Sequence, residues 1–99
     1  MKEKTNTTQR ALRIVKALKG KSLVGLSNKE LADTLDESPV NITRAVANLV
    51  TEGFVTQLET GRYALSVQLL QIAESYRLES EKMKSRLTEM DQRVNAGVF

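Results

Sequence analysis

Arg44 stands three residues after Asn41 and four before Asn48. A guanidinium presents paired donors, and a carboxamide presents a donor beside an acceptor. These are the groups that bond base edges in a duplex groove, Arg to guanine and Asn to adenine, and each good bidentate contact gives about 1–3 kcal/mol of discrimination. If the segment is helical, a 100° step from Ile42 gathers Ala45, Val46, Leu49 and Val50 near one side. Val40, Arg44, Ala47, Asn48 and Thr51 then gather opposite. The candidates for base contact are Val40, Asn41, Arg44 and Asn48. For Arg44 the alternatives are a phosphate contact or an ion pair with Asp36 or Glu37, and for each Asn a solvated amide.

A helix held in a groove also needs groups that grip the phosphate backbone. The candidates are Lys29, Thr43 and Arg62, the N-terminal Lys2, Lys4 and Arg10, and the unbonded N–H groups of the helix start at Ser38. Net charge is +3, and its distribution is uneven. Lys2, Lys4, Arg10, Arg13, Lys16, Lys19 and Lys21 face only Glu3 in residues 1–22, whereas acidic residues outnumber basic ones from 23 to 63. A basic arm over residues 1–8 suits either a polyanion partner or a solvated tail. The chain has no Cys and no His, which removes thiol chemistry, imidazole and thiolate metal ligation, and the commonest acid–base side chain. Asp33, Asp36 and Glu37 cluster without a partner base, so the expectation is a protein that is not an enzyme and uses no metal or cofactor. Neither a signal-peptide pattern nor a run of about 20 apolar residues is present, which predicts a cytoplasmic protein with no membrane partner.

The elements that must position these side chains follow from period and punctuation. Thr7 or Thr8 is read as the cap of a helix running to about Lys19, with Ala11, Leu12, Val15 and Leu18 on one face and Gly20 as its stop. Ser27 with Glu30 makes a capping box for a second helix, which carries Leu31, Ala32 and Leu35 and ends near Asp36. Ser38 and Pro39 restart the chain as cap and first residue of a third helix, 39–52. Beyond Gly53 the period falls to two in FVTQL and RYALS, joined at ETG, which predicts a β-hairpin over 54–66 with Val55, Tyr63 and Leu65 inward. The expected class is therefore mainly α with a small β-hairpin: a winged helix-turn-helix over 9–66, followed by a long helix over 67–96. Within the helix-turn-helix register of residues 28–47, Asp36 occupies a turn position usually held by Gly, and Glu37 one usually apolar. Asp tolerates a left-handed backbone better than most residues.

The tracts ALRIVKAL, LSNKELADTL, ITRAVANLVTEGFV and TGRYALSVQLLQIA resemble the DNA-binding domain of IclR-type transcriptional regulators over roughly residues 9–75. The resemblance implies a sequence-specific double-stranded DNA-binding protein that places helix 39–52 in the major groove and pairs as a homodimer. The family's C-terminal effector domain does not fit after residue 75, so no small-molecule effector is implied. The alternative is a protein-interaction adaptor whose winged helix docks a protein partner, with the last helix as an assembly handle.

In that last helix Leu69, Tyr76, Met83 and Met90 recur every seven residues, widened by Ile72, Ala73, Leu87 and Val94. Glu79, Arg86 and Arg93 occupy positions where a regular coiled coil takes apolar residues, so the heptad is imperfect. Leu69, Ile72, Tyr76, Met83, Leu87 and Met90 form the expected dimer seam. A solvated terminal helix, or docking of another protein through the Met side chains, are the alternatives.

Overall fold

The computed structural model describes residues 5–97. In chain order these form α1 (Thr7–Ala17), α2 (Asn28–Leu35), α3 (Pro39–Thr51), β1 (Val55–Gln57), β2 (Tyr63–Leu65) and α4 (Val67–Gly97). The chain divides into two units, one ending at Leu69 and the other beginning at Leu70. Lys2 and Lys4 lie outside the described residues.

Helix α1 starts on Asn6 rather than on Thr7 or Thr8. Asn6 Oδ1 accepts from the Gln9 N–H at 2.8 Å, while Gln9 Oε1 accepts from the Asn6 N–H at 3.1 Å. This reciprocal box satisfies two donors, where a Thr without a Glu or Gln three residues on could satisfy only one. The helix therefore begins two residues inside the segment read as an arm. It ends at Ala17, with Leu18 as C-cap, and a tight turn rather than another helical turn leads to Gly20. Helix α2 begins on the expected Ser27–Glu30 box, and α3 begins on Ser38, whose Oγ accepts from the Asn41 N–H, with Pro39 as its first residue.

The three helices close over Ile14, Leu18, Leu31 and Ile42, all fully buried, with Ala45, Val46, Leu49 and Val55 around them. Burying each large aliphatic side chain contributes about 1.5–3 kcal/mol. The stripe of α1 is phased differently from the expected one. Ile14 and Leu18, one helical turn apart, are its centre, and Leu12 is 58% exposed.

The hairpin is antiparallel, with Val55 opposite Leu65, Thr56 opposite Ala64 and Gln57 opposite Tyr63. Val55 is buried, and Tyr63 and Leu65 are partly buried against the core, as the alternation predicts. Ala64 points to the other face and is fully buried as well, so β2 is covered on both sides at its centre. Leu26 adds a one-residue bridge, exchanging N–H and C=O bonds of 2.9 and 2.7 Å with Tyr63. Ser66, also buried, bonds the Gly53 carbonyl through its hydroxyl and accepts from the Leu69 N–H at 3.1 Å, which joins the end of α3 to the start of α4. Among the described residues no helix is long and apolar enough to cross a membrane.

Candidate nucleic-acid interface

The turn between α2 and α3 is built by two residues that depart from the usual pattern. Asp36 has φ 53° and ψ 51°, the left-handed conformation that ends a helix and that Asp adopts at modest cost. With it, the Glu37 N–H bonds the Ala32 carbonyl at 2.9 Å and the Asp36 N–H bonds that of Asp33 at 3.4 Å, the Schellman pattern. Glu37 fills its customarily apolar position by turning its carboxylate toward α1. There Thr5 donates its hydroxyl to Glu37, and Arg10 Nε lies 3.2 Å from Glu37 Oε2. Arg10 also donates to the Thr5 carbonyl at 3.0 Å. The Arg10 and Glu37 side chains are only 13% and 12% exposed. The Thr5 hydroxyl, the Arg10 charge and the Asn41 amide together hold the Glu37 carboxyl below its ordinary range.

A second fastening orients the start of α3. Asn28 Nδ2 donates to Thr43 Oγ1 at 2.8 Å and to the Pro39 carbonyl at 3.3 Å, and Thr43 in turn donates to Pro39 O at 2.9 Å. Asn28 carries no signature in a single sequence, because only the crossing of α2 and α3 brings it to Thr43.

Burial of Ile42, Ala45, Val46 and Leu49 sets the outward direction of α3 along Val40, Arg44, Ala47 and Thr51, all exposed. Asn48 is exposed too, at the edge of this row. It lines a cavity of about 250 Å³ with Thr7, Thr8, Ala11, Leu12 and Phe54, on the flank facing α1. Asn41 lies on that flank too, within reach of Glu37. Thr43 lies on the α2 flank with Asn28.

The cations divide into engaged and free. Arg62, a candidate for phosphate contact, is folded inward: Nη1 is 2.8 Å from Glu30 Oε1, Nε donates to Val24 O at 3.1 Å and Nη2 to Gly25 O at 3.0 Å. It ties the hairpin to the loop before α2 and to the α2 capping box. Glu30 is held below its ordinary range by the Ser27 N–H, then the Ser27 hydroxyl, with Arg62 adding to both. Arg10 is engaged with Glu37. Arg44 and Lys29 are exposed and without an ion pair or side-chain hydrogen bond among the described residues. In α4, Ile72, Tyr76, Met83, Leu87 and Met90 are exposed, and Leu69 is half-buried.

No family model and no curated sequence matches the chain. Among solved structures, the chain is similar to CymR, the global cysteine regulator of B. subtilis, with a TM-score of 0.55 and 27% identity over 66% of this chain and 52% of that one. The match thus spans about half the length of CymR. CymR is a winged-helix regulator, and the fold of this chain is a winged helix-turn-helix with a long C-terminal helix.

Proposed function

We propose that the chain is a sequence-specific double-stranded DNA-binding protein, a small dimeric transcriptional regulator that lays α3 in the major groove and sets the hairpin 54–66 beside it. The observation that carries this is Arg44. It is exposed midway along a helix whose start is fixed by Asn28 and Ser38, and it has no partner among the described residues, whereas Arg10 and Arg62 do. A free guanidinium on a braced helix is the donor set that reads guanine. The similarity to CymR supports a regulatory role, and the IclR-type kinship is carried by the four sequence tracts, TGRYAL above all.

Arg44 and Val40 meet the bases, and Asn41 and Asn48 serve the edge of the footprint nearest α1. Lys29 and the N–H groups at Ser38 bind phosphate, with Lys2 and Lys4 as further suppliers. Thr43, Arg10 and Arg62 act first as struts within the fold. With only Lys29 and Arg44 as cations on α2 and α3, a single copy is a weak binder, and two linked copies gain by effective concentration. The protein acts in the cytoplasm.

Selection of binding sites from random duplex DNA, followed by titration at several salt concentrations, tests the proposal. The expected result is a near-palindromic consensus whose affinity falls steeply with salt. Absence of enrichment, with no duplex binding even at low salt, overturns it in favour of protein docking, the reading favoured by the exposed Val40 and Ala47 beside Arg44.

A further inference from the structure

Stepping along α4 by four and three in turn, rather than by three and four, gives an uninterrupted seam. From Leu69 it reaches Ala73, Tyr76, Ser80, Met83, Leu87, Met90 and Val94, each apolar or small. From Ala73 onward these side chains are exposed apart from the half-buried Ser80. In this phase Glu79, Arg86 and Arg93 fall beside the seam, together with Ile72, and no charged residue lies within it.

We propose that α4 pairs with α4 of a second copy as a parallel, in-register two-stranded coiled coil. This rests on the proposed regulator being a dimer and specifies its register and direction. Charge complementarity at the positions flanking the seam selects this direction. In a parallel pair Glu79 faces the partner's Lys84, and Arg86 faces the partner's Asp91, each twice by symmetry. No like charges meet. In the antiparallel pair that sets Ser80 opposite the partner's Met83, Glu79 meets the partner's Arg86, but Arg77 meets the partner's Lys84. Sliding that arrangement by one heptad sets Arg86 against Arg86 or Glu79 against Glu79.

Ion pairs within the helix sort the same way. Arg77 is already held by Glu74 and by Glu81 at 2.7 Å, and Arg93 by Glu89 at 3.6 Å. Glu79, Lys84, Arg86 and Asp91 have no ion pair or side-chain hydrogen bond among the described residues. Lys82 is likewise unpaired, on the side away from the seam. The four flanking charges that find opposite partners in the parallel dimer are thus the ones α4 leaves unused. A parallel pair also attaches both winged units to the same end of the rod, so one duplex can meet both.

The chain has no Cys, so an introduced thiol reports on pairing alone. Ser80→Cys is nearly isosteric and sets residue 80 opposite its own copy, where a disulfide needs Cα atoms about 4.4–6.8 Å apart. Under mild oxidation of the full chain, Ser80→Cys is expected to cross-link much faster than Ser85→Cys, which lies on the outer side. Equal rates overturn the proposal. So does a Ser80→Cys protein that cross-links only when mixed with Met83→Cys, the antiparallel result, or a monomer at every concentration in sedimentation. Glu79→Lys should weaken the dimer about tenfold at low salt, and adding Lys84→Glu should restore it; no change in either overturns the charge assignment. Duplex binding is measured on the same samples. A Ser80→Cys protein that binds DNA but never cross-links leaves the regulator reading intact and removes the coiled coil. One that cross-links yet binds no duplex does the reverse.

Discussion

Removing the Glu37 carboxylate tests whether α1 is fastened to the helix-turn-helix by an ion pair rather than by apolar packing alone. In Glu37→Ala, Thr5 loses its acceptor and Arg10 loses its counter-charge, keeping only its bond to the Thr5 carbonyl. A hydrogen bond to a charged group is worth about 1.5–3 kcal/mol net. Because Arg10 remains 13% exposed and partly bonded, the expected loss is near the middle of that range, about 2 kcal/mol. For a folded unit of this size that lowers Tm by about 10 °C. The effect must depend on pH. Glu37 is held below its ordinary value of 4.5 by Thr5, Arg10 and Asn41, so its folded pKa is depressed. The stability it contributes is fully present above the unfolded pKa and is lost as pH falls through the folded one. The gap between wild type and variant should be complete at neutral pH and narrow below 4.5. Tyr63 fluorescence in a Tyr76→Phe background follows the winged unit alone, since these are the only two tyrosines and there is no Trp. Arg10→Met with Glu37→Leu should recover most of the loss, because an apolar pair avoids desolvating two charges. A loss under about 0.5 kcal/mol at neutral pH, within the scatter of ordinary surface substitutions, refutes the reasoning. So does a loss that stays constant into acid.

Four further outcomes are expected. Arg44→Ala should leave thermal stability unchanged and relax base preference by about 1–3 kcal/mol at the contacted position, read by repeating the site selection; an unaltered consensus removes Arg44 from readout. Gly25→Ala should destabilise by more than about 2 kcal/mol in urea, because φ is +76° and a Cβ would lie 2.6 Å from the Tyr63 carbonyl oxygen. Gly61→Ala, at φ +88° with open space around it, should cost only about 1 kcal/mol, and equal losses would show that contact at Gly25 is irrelevant. Asn28→Ala, by breaking the bonds to Thr43 and Pro39, should cost about 1 kcal/mol and weaken duplex binding without changing the consensus.

Local signals were legible in the residues themselves. The Ser27–Glu30 box, the Ser38–Pro39 restart, the left-handed Asp36, the inner stripe of α3 and the alternation of the hairpin are each decided by residues within one turn of one another. Of the features that differ, one is local and the others depend on distant parts of the chain. Asn6 was hidden by two adjacent Thr residues that also cap well, and Gln9 was the feature that separated them. The phase of α1 turned on whether Leu12 or Ile14 met the core, which depends on where α3 crosses it. A helical wheel gives Asn48 an angle but not a neighbour, so it could not reveal that α1 flanks that side. The tasks of Arg10, Asn28 and Arg62 are invisible to periodicity because their partners lie far along the chain. The Glu37 carboxylate, anomalous as a lone turn residue, becomes intelligible only beside Arg10.

The inward fold of Arg62 changes what the β-hairpin can be in an encounter. Bonded to Val24, Gly25 and Glu30, it makes the hairpin and the start of α2 a single preshaped piece instead of leaving the hairpin a loose flap. The entropy of immobilising that loop is spent during folding, and docking need not spend it again. If the hairpin docks beside a duplex groove as proposed, such a surface should discriminate by fit, tolerate little adjustment to an ill-matched groove, and leave the wrong sites quickly.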